Sequence, residues 1–368
     1  MTGAWHTLTV EPALAPELLI CDPHHHLWEY PGSVYLASDF LGELGGHRLT
    51  HSVFVECAMH YRNDGPEELR PVGETEWIDG IARETDAISD VPRLAAGVVA
   101  FADLMLGPAV EGVLRAHIAA STRVCGVRYV TAWDASDQIR PAHTHPPPGL
   151  LSDPRFRAGF ATLVDFGFPL DVWLYHTQFG ELAELARLFP EARLVLDHMG
   201  GPLGIGPYAG RRDVVFTEWR RNLAELASCQ NISIKLGGRT MTSAGFGWHK
   251  RPAPPGSEEL AATLSPYFDA CIQLFGPQRC MFESNFPMDR ASCSYGVLWN
   301  TYKRISAQYS ASERAHLLRE TAMSFYGLNT MRHHAQTKPT SLIGGGGEDR
   351  SSQPHALLRR ECNTHDRH

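Results

Sequence analysis

The sequence has no Cys-x-x-Cys pair. Its eight cysteines, at positions 21, 57, 125, 229, 271, 280, 293 and 362, are scattered through 368 residues. This excludes a disulfide-stapled small fold and the common zinc-finger spacings, and it suits a reducing compartment. No run approaches the ~18 apolar residues that span a bilayer, so no membrane partner is expected. Basic charge is also scarce: the net charge is −8 and the pI near 6.2, whereas a nucleic-acid partner would require a basic patch. Residues 1–19 hold no lysine or arginine but include Glu11, Glu17 and several prolines, which is not a secretory leader. The expected location is therefore cytoplasmic. Nucleotide-binding glycine patterns are missing as well. Asp22-Pro23-His24-His25-His26 follows Ile20 where a G-x-G-x-x-G would stand, and no G-x-x-x-x-G-K-[ST] occurs.

What is present suits a packed core, with 43% hydrophobic and 20% charged residues. Eight short β-rich runs are Leu18–His26, Ser52–Cys57, Leu94–Phe101, Val124–Val130, Pro169–Tyr175, Leu194–His198, Ile232–Leu236 and Cys280–Ser284. Several are nearly continuous in Val, Ile and Leu, the composition of parallel strands buried on both faces. Helical stretches lie between them: Glu74–Ser89, Asp153–Phe166, Glu181–Phe189, Val215–Ser228 and Glu258–Phe275. Asp153-Pro154 has a cap-then-proline start, and Ser257 precedes two first-turn acids. Two further helices are expected over Tyr295–Gln308 and Ala311–Tyr326. The alternation predicts a single (β/α)8 TIM barrel over 18–328, an open doubly wound sheet being the competitor. Beyond Leu328 the composition shifts to the glycine run Gly344–Gly347 and a mixed polar end, so 329–368 is expected to be a flexible tail.

In such a barrel the C-terminal strand ends converge on one mouth. Polar residues fall at those ends with a frequency that core packing does not explain. His24 and His26 end the first strand, Glu56 the second, and Arg128 lies near the end of the fourth. His176 follows the fifth, His198 ends the sixth, Lys235 lies in the seventh, and Glu283 and Asn285 end the eighth. Burying them singly would cost on the order of a few kcal/mol each, whereas one shared site accounts for all. Strand alternation points His24 and His26 the same way and His25 oppositely, so the H-x-H pair offers two imidazoles to a metal or a carbonyl. The plainer alternative is rim histidines satisfied by backbone carbonyls.

These residues carry a resemblance. Asp22-Pro23-His24-His25-His26-Leu27-Trp28 resembles the D-x-H-x-H-x-W opening of the amidohydrolase 2 family. Val195-Leu196-Asp197-His198-Met199-Gly200-Gly201-Pro202 is similar to its D-H-x-G-x-P segment, Gly126-Val127-Arg128 to its G-[IV]-R strand, and Met281–Asp289 to its strand-eight block. The resemblance implies a TIM-barrel hydrolase of the lactonase-like branch, related to sugar lactonases and 2-pyrone-4,6-dicarboxylate lactonase. It also implies that His24, His26 and His198 hold a divalent metal, zinc or manganese, or polarise the scissile carbonyl without metal. Arg128 would grip a substrate carboxylate. Asn285 departs from the pattern, since the family has an aspartate there and an amide cannot accept the proton of attacking water. Glu283, of the same strand parity, is the first candidate for the missing base and Asp289 the second; a structural ion pair of Glu283 with Lys235 is the competing reading.

Glu56, His176, Lys235 and Trp248 are further candidates for substrate contact. Trp248 lies in the long Gly/Pro-rich insertion 237–256, which reads either as a lid or as a decorative loop. The expected activity is water-driven opening of a lactone, or a related cyclic ester or amide, of a small anionic molecule. The alternatives are a metal-dependent decarboxylase of aromatic or unsaturated acids and a non-catalytic ligand-binding barrel. Homo-oligomer formation stays open.

Overall fold

The computed structural model describes residues 5–140 and 142–329. Ten strands occur in chain order. They are β1 (Leu19–His25), β2 (Trp28–Tyr30), β3 (Ser33–Tyr35), β4 (Arg48–Val55), β5 (Arg93–Ala100), β6 (Val124–Val130), β7 (Leu170–Trp173), β8 (Leu194–Leu196), β9 (Ile232–Leu236) and β10 (Cys280–Phe282). The pair β2 and β3 forms a small antiparallel hairpin. The other eight form one parallel sheet in the order β1-β4-β5-β6-β7-β8-β9-β10. The circle closes through one parallel bridge between His25 and Phe286. There the His26 N–H donates to the Phe286 carbonyl at 2.7 Å and the Asn285 N–H to that of His24 at 2.8 Å. The sheet is thus a nearly closed TIM barrel, and the eight expected strands are all present.

The helices are α1 (Ala37–Gly42), α2 (Val72–Asp86), α3 (Val110–Ala120), α4 (Pro154–Asp165), α5 (Phe179–Leu188), α6 (Arg212–Ala227), α7 (Ser257–Phe275), α8 (Tyr295–Ile305), α9 (Ala311–Ala315) and α10 (Thr321–Phe325). Local chemistry sets several of their ends. The Asp153 carboxylate caps α4 by accepting from Arg155 N–H at 2.7 Å, with Pro154 as first helical residue. Ser257 does not cap α7. It is the first helical residue, and its N–H and hydroxyl both donate to Glu11, 246 residues away. The single helix expected over Ala311–Tyr326 is interrupted by a π-helical turn at His316–Glu320, which carries the chain beneath the barrel. Helices α1 and α3 and the β2–β3 hairpin were not expected. The expected tail falls outside the described residues except for Asn329.

Two layers fill the barrel. At the N-terminal end of the strands, Cys21, Val53, Val99, Cys125, Val195 and Met281 pack against Met323 of α10 and Tyr326 just after it, which plug that end. Above them lies a polar layer. The Tyr326 hydroxyl donates to Asp171 at 2.7 Å, and Lys235 Nζ lies 2.7 Å from the same oxygen. The apolar plug excludes water from below, so the polar residues open only toward the C-terminal mouth.

Candidate active site

A β-bulge positions the two histidines. The register between β1 and β4 shifts between Asp22 and His25, so the strand carries one extra residue just before the H-x-H pair. Asp22 pins the bulge, accepting from Ser284 N–H at 2.9 Å, His24 N–H at 3.3 Å and the Tyr295 hydroxyl at 3.1 Å. His24 and His26 consequently face inward, while His25 turns outward, stacked on Phe40 with ring centroids 4.5 Å apart.

His26 Nδ1 lies 2.8 Å from the Val55 carbonyl, which can only accept, so the ring's proton sits on Nδ1 and its Nε2 carries the lone pair. That Nε2 is 3.2 Å from His24 Nε2. Burial keeps both rings neutral: it pushes His26 down to about 3 and His24 well below its ordinary value, the latter helped by the charge of Lys235. His24 Nδ1 sits between two partners of opposite character, Lys235 Nζ at 3.0 Å and Glu283 Oε2 at 3.1 Å. It accepts from the first or donates to the second, and this choice decides whether Nε2 presents a proton or a lone pair.

His198 is placed by backbone geometry. It follows β8 in a left-handed turn, with φ of 55° at both His198 and Met199, then 65° and 41° at Gly200 and Gly201. Non-glycine residues rarely hold this conformation. Here Glu283 stabilises it by accepting from His198 N–H at 3.1 Å and from Nδ1 at 2.7 Å. Gly238 makes room, since a Cβ there would come 2.5 Å from His198 Cβ.

Behind the histidines lies a cluster of fully buried charge. Lys235 contacts Asp171 at 2.7 Å and Asp197 at 3.1 Å, and Arg128 Nε donates to Glu56 at 2.8 Å. Burial opposes ionisation of Glu283, but the neighbouring His198 and His24 outweigh it and hold the carboxyl at about 2. Glu56 is likewise held at about 2, Arg128 outweighing burial. Four acidic groups, Glu56, Asp171, Asp197 and Glu283, thus face two fixed cations. Neither Asp197 oxygen has a hydrogen bond. His24, Asp197 and His198 bring one ligand atom each within 4.8 Å of one another. A buried carboxylate without a hydrogen bond, only ion-paired through Oδ1 with Lys235, beside two imidazoles suits a divalent cation.

The mouth is a cavity of about 690 Å³, within the range of small-molecule sites. Among the expected residues, His26, His198, Arg128 and Asn285 line it. Several others lie elsewhere, each for an identifiable reason. Glu283 and Lys235 are fully buried behind the histidines, so Glu283 positions imidazoles and Lys235 is an internal ion pair. Glu56 is engaged by Arg128. Asp289 accepts from Thr240 N–H at 2.9 Å, the Thr240 hydroxyl and Asn285 Nδ2 at 2.6 Å, which makes it a bracket for Asn285. His176 packs on Tyr208, with centroids 5.1 Å apart, and does not line the cavity. Trp248 belongs to the core, stacked on Phe246 at 4.4 Å; from its loop it is Met241 that reaches the mouth.

Sequence reasoning passed over Asp197 and Asp171, although Asp197 directly precedes His198. Trp28 and Trp173, neither of them among the expected site residues, wall the mouth. The Trp173 ring meets His198 edge-on at 4.6 Å, and Trp28 stacks beside His26 at 6.2 Å. Arg140, His143 and His145 were missed too; they sit on the long connection from β6 to α4, whose length was the available signal.

A parallel barrel with an H-x-H pair on its first strand and a histidine after its sixth defines a class of hydrolase, and comparison with known proteins agrees. The amidohydrolase family profile (Amidohydro_2) matches residues 21–328. The chain belongs to that family and is a hydrolase. It is 30% identical over 334 residues to the uncharacterized protein y4mH of Sinorhizobium fredii, covering 84% of this chain and 99% of that one. To an L-fucono-1,5-lactonase of Burkholderia multivorans it is 26% identical over 317 residues, covering 83% and 95%. An amidohydrolase from Burkholderia multivorans solved with bound hepes shares the fold, at a TM-score of 0.65, 24% identity and coverage of 84% and 99%. A second crystal form, with bound zinc, gives a TM-score of 0.65 at 23% identity, also covering 84% and 99%.

Proposed function

We propose that this chain opens a lactone ring by activating water at His198. The observation that carries the reading is the His198–Glu283 pair. A carboxylate 2.7 Å from Nδ1 orients the ring and favours the proton there, so Nε2 is left as the base. Glu283 is too acidic to be the base itself, and its burial gives substrate no access to it. His198 takes the proton as water attacks the ring carbonyl, and returns it to the ring oxygen as the acyl–oxygen bond breaks, which yields a hydroxy acid. Arg128, which lines the cavity, offers its guanidinium to the carbonyl oxygen. Asn285 offers the cavity its amide oxygen, because its Nδ2 is held by Asp289. Were a divalent ion held by His24, Asp197 and His198, it would occupy the His198 Nε2 lone pair and supply Lewis-acid activation of the water in place of that base. The lactonase among the similar proteins supports the reaction class.

The test is a panel of sugar and unsaturated lactones assayed for acid release and for CO2, with metal content measured on the same protein. Acid release without CO2 is expected, and Glu283→Gln should lower kcat by roughly 10²–10⁴-fold with little change in KM. CO2 from a carboxylic acid would replace the reading with a decarboxylase. Ligand binding with neither product would leave a binding barrel.

A further inference from the structure

The cavity at the mouth has a neighbour. A second cavity, of about 540 Å³, abuts it along a ridge built from three chain segments. Trp28 lines both cavities; Met241 faces the first and Thr242 the second; Met288 faces the first and Pro287 the second. Trp28 also stacks beside His26, so it is the partition between the reacting centre and the second cavity. Each volume by itself lies within the range that holds a small molecule.

The second cavity is walled by additions to the barrel. The N-terminal segment supplies Trp5, the β2–β3 hairpin Val34 and Tyr35, and the insertion 237–256 Thr242 and His249. The first and last of these are fastened together, Trp5 Nε1 donating to the Arg251 carbonyl at 2.9 Å and the Thr9 hydroxyl to that of Pro254 at 2.8 Å. Two of the polar groups in the wall are occupied within the protein. Arg290 contacts Glu43 at 2.7 Å and lies 5.3 Å over the Tyr35 ring, and Ser33 Oγ accepts from Trp28 Nε1 at 3.1 Å. Thr242 and His249, both exposed, are the remaining polar side chains. The rim is apolar as well. Val34 is 59% exposed, Met288 47% and Tyr30 37%, and all three stand on the walls of these two cavities. Exposed apolar side chains gathered beside a reacting centre mark a place where a ligand is desolvated.

We infer that the second cavity is an arm-binding subsite of the first, so that the preferred substrate is a lactone whose ring carries an uncharged aliphatic arm, the arm crossing Trp28 to lie against Val34 and Pro287. The inference deepens the lactonase reading and rests on it for the reaction, whereas the binding of the arm follows from the wall alone. Each methylene buried there should raise affinity roughly three- to fourfold.

The test is a series of γ-lactones with unbranched alkyl chains from methyl to octyl, with kcat/KM measured on the full chain. The value should rise roughly three- to fourfold per methylene until the subsite is filled, through KM rather than kcat. Val34→Asp sets a charge against the arm and should flatten the rise, and Val34→Ile should keep it; a general folding defect would lower every chain length alike. Binding of the matching alkyl γ-lactams, which are inert, is followed by calorimetry, and the oligomeric state by sedimentation. A value independent of chain length, or an equal rise in Val34→Asp, overturns the inference. So does a dimer that Val34→Asp dissociates, because the apolar rim then belongs to a second copy of the chain. If the lactams bind with the expected dependence on chain length and on Val34 while no lactone is opened, the arm subsite stands and the lactonase reading fails.

Discussion

Asn285 is the residue at which this chain leaves its family's pattern, and its surroundings explain why an amide is held there. Its Nδ2 donates to Asp289 at 2.6 Å, and its φ of 53° lies in the left-handed region, which asparagine tolerates better than most residues. Burial has already raised Asp289 to about 6, Thr240 countering only part of that effect. Asn285→Asp would therefore place a second carboxyl against the first in a buried pocket. It should lower stability by roughly 1–3 kcal/mol and fail to improve turnover, whereas Asn285→Asp combined with Asp289→Asn should restore the hydrogen bond and the melting temperature. Thermal melts and steady-state rates of the three proteins check this.

Glu74 makes a second prediction from a single residue. It accepts from Cys57 N–H at 2.9 Å and Met59 N–H at 2.8 Å, and burial, then the charge of Glu56, raise its pKa from 4.5 to about 8. Between those values the folded protein holds a proton that the unfolded chain has lost, so stability falls as pH rises from about 5 to about 8. Glu74→Gln keeps the acceptor oxygen and removes the titration. Its melting temperature should gain on the wild type progressively across that window and hold the gain above it; a difference independent of pH would refute the assignment.

At the scale of elements, the site depends on close approaches between strand ends. The Gly237-Gly238 step after β9 lets Glu283 and His198 lie against the backbone, with added Cβ atoms meeting them at 2.3 and 2.5 Å. Gly238 also has a φ of 66°. Gly238→Ala should therefore displace the His198 ring, with kcat falling at least tenfold while the far-ultraviolet circular dichroism of the barrel is unchanged. The strands were legible as apolar runs buried on both faces, and most helices by the periodic burial of one face. Val124–Val130 and Ile232–Leu236 have the bounds that apolar content alone suggested. Other elements were not legible for a physical reason. The β2–β3 hairpin and α1 are short segments whose packing partners lie far along the chain, and Ser257 looked like a cap only because Glu11 cannot be associated with it from local sequence.

At the scale of the molecule, Glu11 shows how the N-terminal segment completes the outer ring. Its carboxylate takes Ser257 N–H at 2.7 Å and Asn300 Nδ2 at 3.0 Å, joining α7 to α8, while Lys303 Nζ reaches the Leu14 and Ala15 carbonyls at 2.8 and 3.0 Å. Glu11→Ala leaves those buried donors unpaired and should cost about 1–3 kcal/mol in a urea melt, with Glu11→Gln falling between it and the wild type.

The sequence by itself determined the barrel, the order of its strands and the inward-facing histidines, because apolar runs and the alternation of side chains along a strand are local properties. The tertiary structure alone decided the roles. The strand-end carboxylates became positioning groups, since the apolar plug and the surrounding strands bury them beside cations, whereas Arg140, His143 and His145, from a connection with no pattern of its own, came to line the mouth. Burial and pairing are properties of what surrounds a residue once the chain has closed, and no local pattern carries them.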